Sequence, residues 1–230
     1  MYESILSSVR SANSVYLKAA LVRSAPDKHS QIQALYDKHM VSIADYCMSS
    51  YGGAGSLTMV FVRGLHKMLF PQNYSFRQEV DGKLFSLIPG EYRDGLGAVD
   101  SSLQPGAVVV FAPPAEVFDA MNTIVTRLNA ALPQALSMSE KRQKILSFII
   151  DFASIHPFGD ANGRVMCMVC DLLLIKEGIL PIGFCTIKEK DRDGLYRAVE
   201  LALRSRDLMP LYALIERYNP AALLESIGSE

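Results

Sequence analysis

The sequence lacks the features that mark several large classes of protein. Its 23 Lys and Arg residues against 24 Asp and Glu residues leave a net charge of -1, which argues against a uniformly basic surface for nucleic acid or anionic membranes. No apolar run approaches the length of a membrane span, and charges interrupt the N-terminus, unlike in a signal peptide. We therefore expect a cytoplasmic protein that binds no nucleic acid. Its 230 residues, half of them hydrophobic, are enough for one globular domain with its own core.

Cysteines are also few, and they are scattered along the chain: Cys47, Cys167, Cys170 and Cys185. Four such residues do not make a disulfide scaffold. Cys167 and Cys170 have the spacing of a redox or zinc motif, but they lie in an apolar run, and no second ligand pair is present. We expect reduced and mostly buried thiols.

Apolar residues recur at three- and four-residue spacing along most of the chain, which is the period of an α-helix. Ser137 followed by Glu140 is typical of a capping box, and Asn219 before Pro220 is typical of a helix start. The predicted fold class is therefore mainly α. The predicted helices cover residues 3–22, 30–49, 57–69, 115–131, 139–155, 163–177, 191–204, 208–218 and 220–227.

Residues 80–112 depart from this helical pattern. They contain four turn dipeptides, Asp81-Gly82, Pro89-Gly90, Asp94-Gly95 and Pro105-Gly106. Short apolar runs at Leu84–Ile88 and Val108–Phe111 lie between these turns, as in strands. We expect a β-hairpin or flap inserted between helices, since these runs are too apolar for a flexible linker.

Polar residues that can carry chemistry are concentrated in one nine-residue stretch, His156-Pro157-Phe158-Gly159-Asp160-Ala161-Asn162-Gly163-Arg164. His156 ends one predicted helix, where a histidine held in place can act as a general base. The glycines and the asparagine allow backbone N–H groups to converge at the start of the next helix, where they bind anions. Arg164 can pair with a phosphate, and Asp160 suits Mg²⁺ shared with phosphates.

Each of these residues also has an ordinary structural explanation. A histidine at a helix end commonly forms structural hydrogen bonds, Asp160 could cap the next helix, and a Gly-Asn turn is commonly only a turn. The combination of base, carboxylate, anion-binding loop and arginine at one joint favours a functional site.

This stretch resembles the signature of the Fic family, His-x-Phe-x-(Asp/Glu)-Gly-Asn-Gly-Arg-x-x-Arg. The matching residues are His156, Phe158, Asp160, Asn162, Gly163 and Arg164. Further similar segments, in family order, are Gly64–Phe70, Pro89–Arg93, Phe111–Pro114, Gly178–Pro181 and Tyr196–Ala198. The resemblance implies a Fic core over residues 57–217, a helical and regulatory extension over 1–56, and a C-terminal helix or tail over 218–230.

The resemblance also implies a function: transfer of AMP from ATP, with Mg²⁺, to a Tyr, Thr or Ser hydroxyl of a target protein. His156 would be the base, and Asp160 would hold the metal. The donor would be bound by the loop residues Gly159, Ala161, Asn162, Gly163 and Arg164. Phe158 would anchor the loop, and the flap near residues 86–110 would dock the target by strand-like pairing.

Two positions depart from the family pattern. Ala161 replaces the first motif glycine, and Cys167 replaces the second arginine, which in the family helps to bind the triphosphate. Other donors therefore stay open, above all CDP-choline in a phosphocholine transferase. A degenerate Fic domain that only binds a nucleotide or a partner is the other alternative.

Ser8–Asn13 resembles the family's inhibitory motif, with Ala12 in place of its glutamate, although Ser and Asn at this spacing are also common by chance. Ser226–Glu230 is a weaker match. The sequence leaves the target and the oligomeric state open. It also leaves open whether the protein is a regulator, a toxin or an effector delivered into a host cell.

Overall fold

Helices dominate the computed structural model, which describes residues 1–24, 29–51, 55–70, 76–80 and 83–224, and only the backbone of 14–24, 29–36, 76–80 and 83–86. The prediction of a mainly α fold is confirmed. The described helices are α1 (Tyr2–Ser24), α2 (His29–Ser50), α3 (Met59–Met68), α4 (Val117–Ala131), α5 (Met138–Ile155), α6 (Asn162–Lys176), α7 (Phe184–Lys190), α8 (Arg192–Ser205) and α9 (Met209–Tyr218). None of them is both long enough and apolar enough to cross a membrane.

Helix α6 lies at the centre of the fold. It contacts α1, α3, α5 and α7, and almost every residue from Val165 to Leu174 is buried. A helix that is apolar on all sides must be covered on all sides. Because α6 begins at Asn162, the last three residues of the polar stretch 156–164 belong to this helix, and the packing of α6 fixes them to the core.

Two antiparallel hairpins separate α3 from α4. Strand β1 (Phe76–Val80) pairs with β2 (Lys83–Leu87), and β3 (Ala98–Asp100) pairs with β4 (Val108–Val110). The strands predicted near Leu84 and Val108 are confirmed as β2 and β4, whereas their partners β1 and β3 were not predicted. The predicted Asp81-Gly82 turn lies outside the described residues.

The helix boundaries show where local signals work and where they fail. The Ser137 cap is confirmed, because its Oγ accepts a hydrogen bond of 3.1 Å from the Glu140 N–H. The predicted helix start at Asn219-Pro220 is confirmed in position, but a short 3-10 turn, Pro220–Leu223, begins there instead of an α-helix. The Asn219 side chain makes no cap hydrogen bond and donates to the carbonyls of Pro181 and Ile182 at 3.2 and 3.0 Å. The end of that predicted helix, 225–227, and the Ser226–Glu230 frame lie outside the described residues. Helix α7 was missed, since seven residues are too few to show a period.

Candidate active site

His156 lies at the C-terminal end of α5 in a left-handed conformation, with φ 51° and ψ 62°. Its backbone N–H donates to the Phe152 carbonyl at 2.9 Å, and its ring lies parallel to the Phe111 ring with 3.9 Å between centroids. Burial, together with the charge of Arg93, lowers the pKa of His156 to about 4. The imidazole is therefore neutral at pH 7 and can accept a proton.

Arg93 holds the backbone on either side of this histidine. Its Nε donates to the His156 carbonyl at 2.7 Å, and its Nη2 donates to the carbonyls of Ile155 (3.1 Å) and Ala112. Its own N–H donates to the Pro157 carbonyl at 2.9 Å. The guanidinium thus supplies donors to carbonyls that a helix end leaves without partners. We did not predict this role, because the sequence places Arg93 only in the segment that opens the flap.

His66 on α3 contacts the loop at Asp160 and Phe158. The Gly90 N–H donates to its Nδ1 at 2.8 Å, so the proton is on Nε2, which donates to the Asp160 carbonyl at 3.2 Å. Its ring lies parallel to the buried Phe158 ring with 3.9 Å between centroids. Burial lowers the pKa of His66 to about 4. His66 was also missed as a site residue, since only its distant contacts reveal it.

The side chain of Asn162 is used inside the loop. Its Oδ1 accepts from the Phe158 N–H at 2.9 Å, and its Nδ2 donates to the Phe158 carbonyl at 2.8 Å. Phe158 is fully buried, as expected for an anchor. This reciprocal pair fixes the loop, so any contact of Asn162 with a bound phosphate would come from its backbone.

Ala161 and Gly163 have different backbone requirements. Ala161 has φ 61° and ψ 8°, a left-handed conformation in which glycine is strained less than alanine. Gly163 lies in the first turn of α6, and a Cβ added there would meet no heavy atom within 4 Å. The described residues therefore leave open space at the N-terminus of α6, and helix N-termini are in general suited to binding anions.

Asp160 and Arg164 provide the charges of the loop. The Asp160 side chain is 67% exposed, and its Oδ1 accepts from the Ala161 N–H at 2.5 Å, while Oδ2 lies 4.0 Å from Arg164 Nη2. Arg164 is mostly buried, with its guanidinium 5.4 Å from the centre of the Phe70 ring. No cluster of three or more His, Cys, Asp or Glu side chains suited to a metal occurs among the described residues. An Mg²⁺ ion at Asp160 would therefore need oxygens from a bound phosphate.

All the predicted site residues meet at one cleft. It has a volume of about 780 Å³, which suits a nucleotide-sized ligand. Its other walls come from α1, the β3–β4 hairpin, α7 and α8. The loop residues that line it are His156, Gly159, Asp160, Ala161, Asn162, Gly163 and Arg164.

The two departures from the family pattern, Ala161 and Cys167, line this cleft, and so do Ser11 and Ala12 of the Ser8–Asn13 segment. Cys167 lines it as a buried thiol that is hydrogen-bonded to Cys185, and this bond together with burial raises the pKa of Cys167. Ala12 on α1 lines the cleft as well. Ser8 Oγ donates to Asp171 Oδ2 on α6 at 2.7 Å, and Asn13 Nδ2 donates to Met168 Sδ on α6 at 3.7 Å and to the Val9 carbonyl at 2.8 Å. The Ser8–Asn13 segment is thus held against α6 beside the site.

Comparisons with known proteins agree with this geometry. A solved Fic domain-containing signaling protein from Bacteroides thetaiotaomicron has a TM-score of 0.62 at 18% identity, over 97% of this chain and 91% of that chain. A Fic family protein from Desulfovibrio desulfuricans has a TM-score of 0.53 at 17% identity, over 94% of this chain and 63% of that one. No curated protein matches the sequence. The model of the Fic/DOC family matches residues 56–174, which is more than half of the 230-residue chain. The chain therefore belongs to the Fic/DOC family and is a transferase of the Fic type.

Proposed function

We propose that this transferase moves a nucleoside monophosphate, AMP from ATP, onto a Tyr, Thr or Ser hydroxyl of a target protein. One observation carries the proposal: a neutral, fixed histidine and an open helix N-terminus face the same nucleotide-sized cleft. A base and an anion site in one cleft are what transfer of a phosphate-containing group to a hydroxyl needs.

The donor phosphates would bind at the start of α6. Gly163 leaves room for them, and Arg164, already held at the loop, adds positive charge. The exposed carboxylate of Asp160 fits Mg²⁺ that is shared with those phosphates. When bound, the ion would offset the negative charge of the donor.

The reaction is a displacement at the α-phosphorus of ATP. The acceptor oxygen forms a bond to phosphorus, its proton passes to the ring of His156, and the bond to pyrophosphate breaks. Because the His156 pKa is lowered to about 4, the ring enters this step without a proton. Its stacking on Phe111 and the Arg93 hydrogen bond to its carbonyl keep the base in place.

The target would dock along the β3–β4 hairpin, within the predicted flap. Val99, Val108 and Val110 on these strands are exposed. The two strands form a sheet of their own, so each has one edge that pairs with no other strand among the described residues. An extended target segment can add to such an edge, which would bring its hydroxyl near His156.

A second candidate is phosphocholine transfer from CDP-choline. It is favoured by Cys167, which places a buried thiol with a raised pKa, and therefore no charge, in the cleft wall where the family pattern has an arginine. A diphosphate donor carries less charge to offset than a triphosphate.

The test is intact-mass spectrometry of the purified protein, alone and with a host lysate, after incubation with Mg²⁺. The donors are ATP, GTP, UTP, CTP and CDP-choline, in separate reactions. We expect a mass addition with ATP that His156→Ala abolishes, and the size of the adduct identifies the group transferred. Equal modification by wild type and His156→Ala would refute the role of the base. Donor binding without any adduct would favour a degenerate domain that only binds.

A further inference from the structure

A buried carboxylate on α8 holds the far end of the β3–β4 hairpin. The Glu200 side chain is 6% exposed and lines the cleft. Its Oε1 accepts from Ser101 Oγ at 2.6 Å, and its Oε2 accepts from the Ser102 N–H at 2.6 Å and from Ser102 Oγ at 2.7 Å. Three hydrogen bonds from two adjacent residues of the hairpin therefore end on one carboxylate.

The connection between β3 and β4 is folded around the same serine. Ser101 Oγ accepts from the N–H groups of Leu103 and Gln104 at 3.2 and 3.0 Å, and the Ser101 N–H donates to the Ala107 carbonyl at 2.9 Å. Glu200 thus binds an ordered turn. Because Ser101 is bonded to Leu103, Gln104 and Ala107, holding Ser101 in place also restrains the rest of the connection between β3 and β4.

The near end of the hairpin is held at the catalytic base. The Phe111 N–H donates to the Gly97 carbonyl at 3.0 Å, and the Phe111 ring stacks on His156. Arg93 binds the carbonyl of the next residue, Ala112. The hairpin is therefore attached at one end to the base and at the other end to Glu200, and Val99 and Val109 line the cleft between these points.

Glu200 also pairs with Arg204, and this pair does not account for the contacts of Glu200 with the hairpin. Arg204, four residues later on α8, donates to Oε1 from Nε at 3.0 Å and from Nη2 at 2.7 Å, and its side chain is 51% exposed. This pair within one helix could form with no hairpin present. Burial alone would raise the pKa of Glu200, but the hydrogen bonds from Ser101, Ser102 and Arg204 outweigh it and lower the pKa to about 2.

We propose that Glu200 is a positioning residue for the protein acceptor: by holding the Ser101–Ser102 turn, it sets where the hairpin presents a target hydroxyl relative to His156. The inference rests on the proposed transfer to a protein hydroxyl. Although Glu200 lines the cleft, its hydrogen bonds go to Ser101, Ser102 and Arg204 and not to the loop 156–164, where the donor phosphates would bind, so we expect donor binding to be independent of it. Attack by water on the donor does not depend on it either, because water needs no docking strand.

The experiment compares Glu200→Ala and Glu200→Gln with wild type in three measurements. These are hydrogen exchange over residues 98–110, transfer of AMP to protein by intact mass, and release of AMP from ATP by water. In Glu200→Ala we expect exchange of the Ser102 amide to rise about ten-fold or more, since its hydrogen bond to a charged group is lost. We expect transfer to fall about ten-fold to a hundred-fold, with AMP release and ATP binding within about two-fold of wild type. Glu200→Gln, which keeps an acceptor oxygen, should recover part of the transfer.

Matched controls isolate the hairpin. Glu177→Ala breaks another partly buried ion pair, with Lys141 at 2.7 Å, and should leave all three measurements unchanged. Ser102→Ala should reproduce part of the Glu200→Ala effect from the hairpin side, and the double variant should be no worse than Glu200→Ala.

Several outcomes would overturn the proposal. Unchanged exchange over 98–110 in Glu200→Ala would show that the carboxylate does not hold the hairpin. Faster exchange with equal losses of transfer and AMP release would make Glu200 structural only. A wild-type protein that transfers nothing would refute the proposed function and the positioning role with it, and the exchange result would still report on the anchor separately.

Discussion

Replacement of Asn162 tests whether its side chain holds the loop or binds the donor. Asn162→Ala removes two hydrogen bonds and leaves the N–H and carbonyl of the buried Phe158 without these partners. Each bond contributes about 1 kcal/mol net, and a buried polar group left unpaired costs about 1–3 kcal/mol. We expect a loss of about 2–4 kcal/mol in the free energy of unfolding. For a chain of this size that lowers the melting temperature by roughly 5–15 °C.

The chain offers a matched control in Asn129. Its Oδ1 accepts from the Leu57 N–H at 3.0 Å, and its Nδ2 donates to the Leu57 carbonyl at 2.7 Å, which is the same reciprocal pair between α4 and the segment before α3. Asn129→Ala should therefore lower the melting temperature in the same way without touching the loop. Asn162→Asp is a second comparison, because aspartate has nearly the same volume but no N–H group to donate to the Phe158 carbonyl.

The assay is thermal unfolding by circular dichroism together with calorimetric titration of ATP and Mg²⁺. We expect both alanine variants to melt earlier, and only Asn162→Ala to lose donor affinity, since only there does the anion-binding loop change shape. Asn162→Asp should behave like Asn162→Ala. An Asn162→Ala protein that melts at the wild-type temperature but binds ATP weakly would refute the reasoning, because its side chain would then contact the donor directly.

Three further predictions concern the loop and its neighbours. Ala161→Gly should leave the free energy of unfolding, measured in urea, unchanged or raise it by up to about 1 kcal/mol. Glycine relieves the strain of the positive φ, and this gain offsets the larger conformational entropy that glycine gives the unfolded chain. A loss above about 1 kcal/mol would contradict this prediction. Cys167→Arg should tighten ATP binding about ten-fold in calorimetry, because it adds a positive charge where the family pattern has one. CDP-choline is the control ligand and Cys167→Ser the control variant, and unchanged ATP affinity in Cys167→Arg would contradict the prediction. The pKa values of His66 and His156 are lowered to about 4, so at these two residues the unfolded chain binds more protons than the folded chain below about pH 6.5. Their contribution to stability should therefore fall as the pH drops from there towards 4. Urea unfolding at pH 7, 5.5 and 4.5 measures this fall; His66→Gln should reduce it, and an equal fall in that variant would contradict the assignment.

The sequence predicts the helices that have long apolar stripes and the joint that carries the chemistry. Helix α5 ends at Ile155, where its predicted range ends, and Pro157, which cannot continue a helix, follows two residues later. Every predicted site residue lines one cleft. Local signals are enough for these features, because capping, periodicity and the proline stop act within a few residues.

The features that sequence reasoning missed act over long chain separations. Arg93 binds carbonyls of Ile155 and His156, and His66 binds the carbonyl of Asp160. Every residue has a backbone carbonyl, whatever its side chain, so no pattern of residue types predicts which distant side chain will bind a given carbonyl. The missing side-chain cap at Asn219 has the same cause, since its side chain is oriented by hydrogen bonds from Nδ2 to the distant carbonyls of Pro181 and Ile182.

From the sequence, the loop side chains are expected to bind the donor. The structure shows that the side chain of Asn162 is instead bonded within the loop, to Phe158. A loop that binds an anion through backbone N–H groups works only if its shape is fixed before the anion arrives. Asn162 and Phe158 provide that shape from inside, and His66 supports it from α3. Gly163 then contributes by its missing side chain, because the open space above it is where a phosphate can approach the helix. Under the proposed function, much of the loop's specificity for a donor would therefore reside in residues that need not touch it. Asp160 and Arg164 would add charge at a position that the others define.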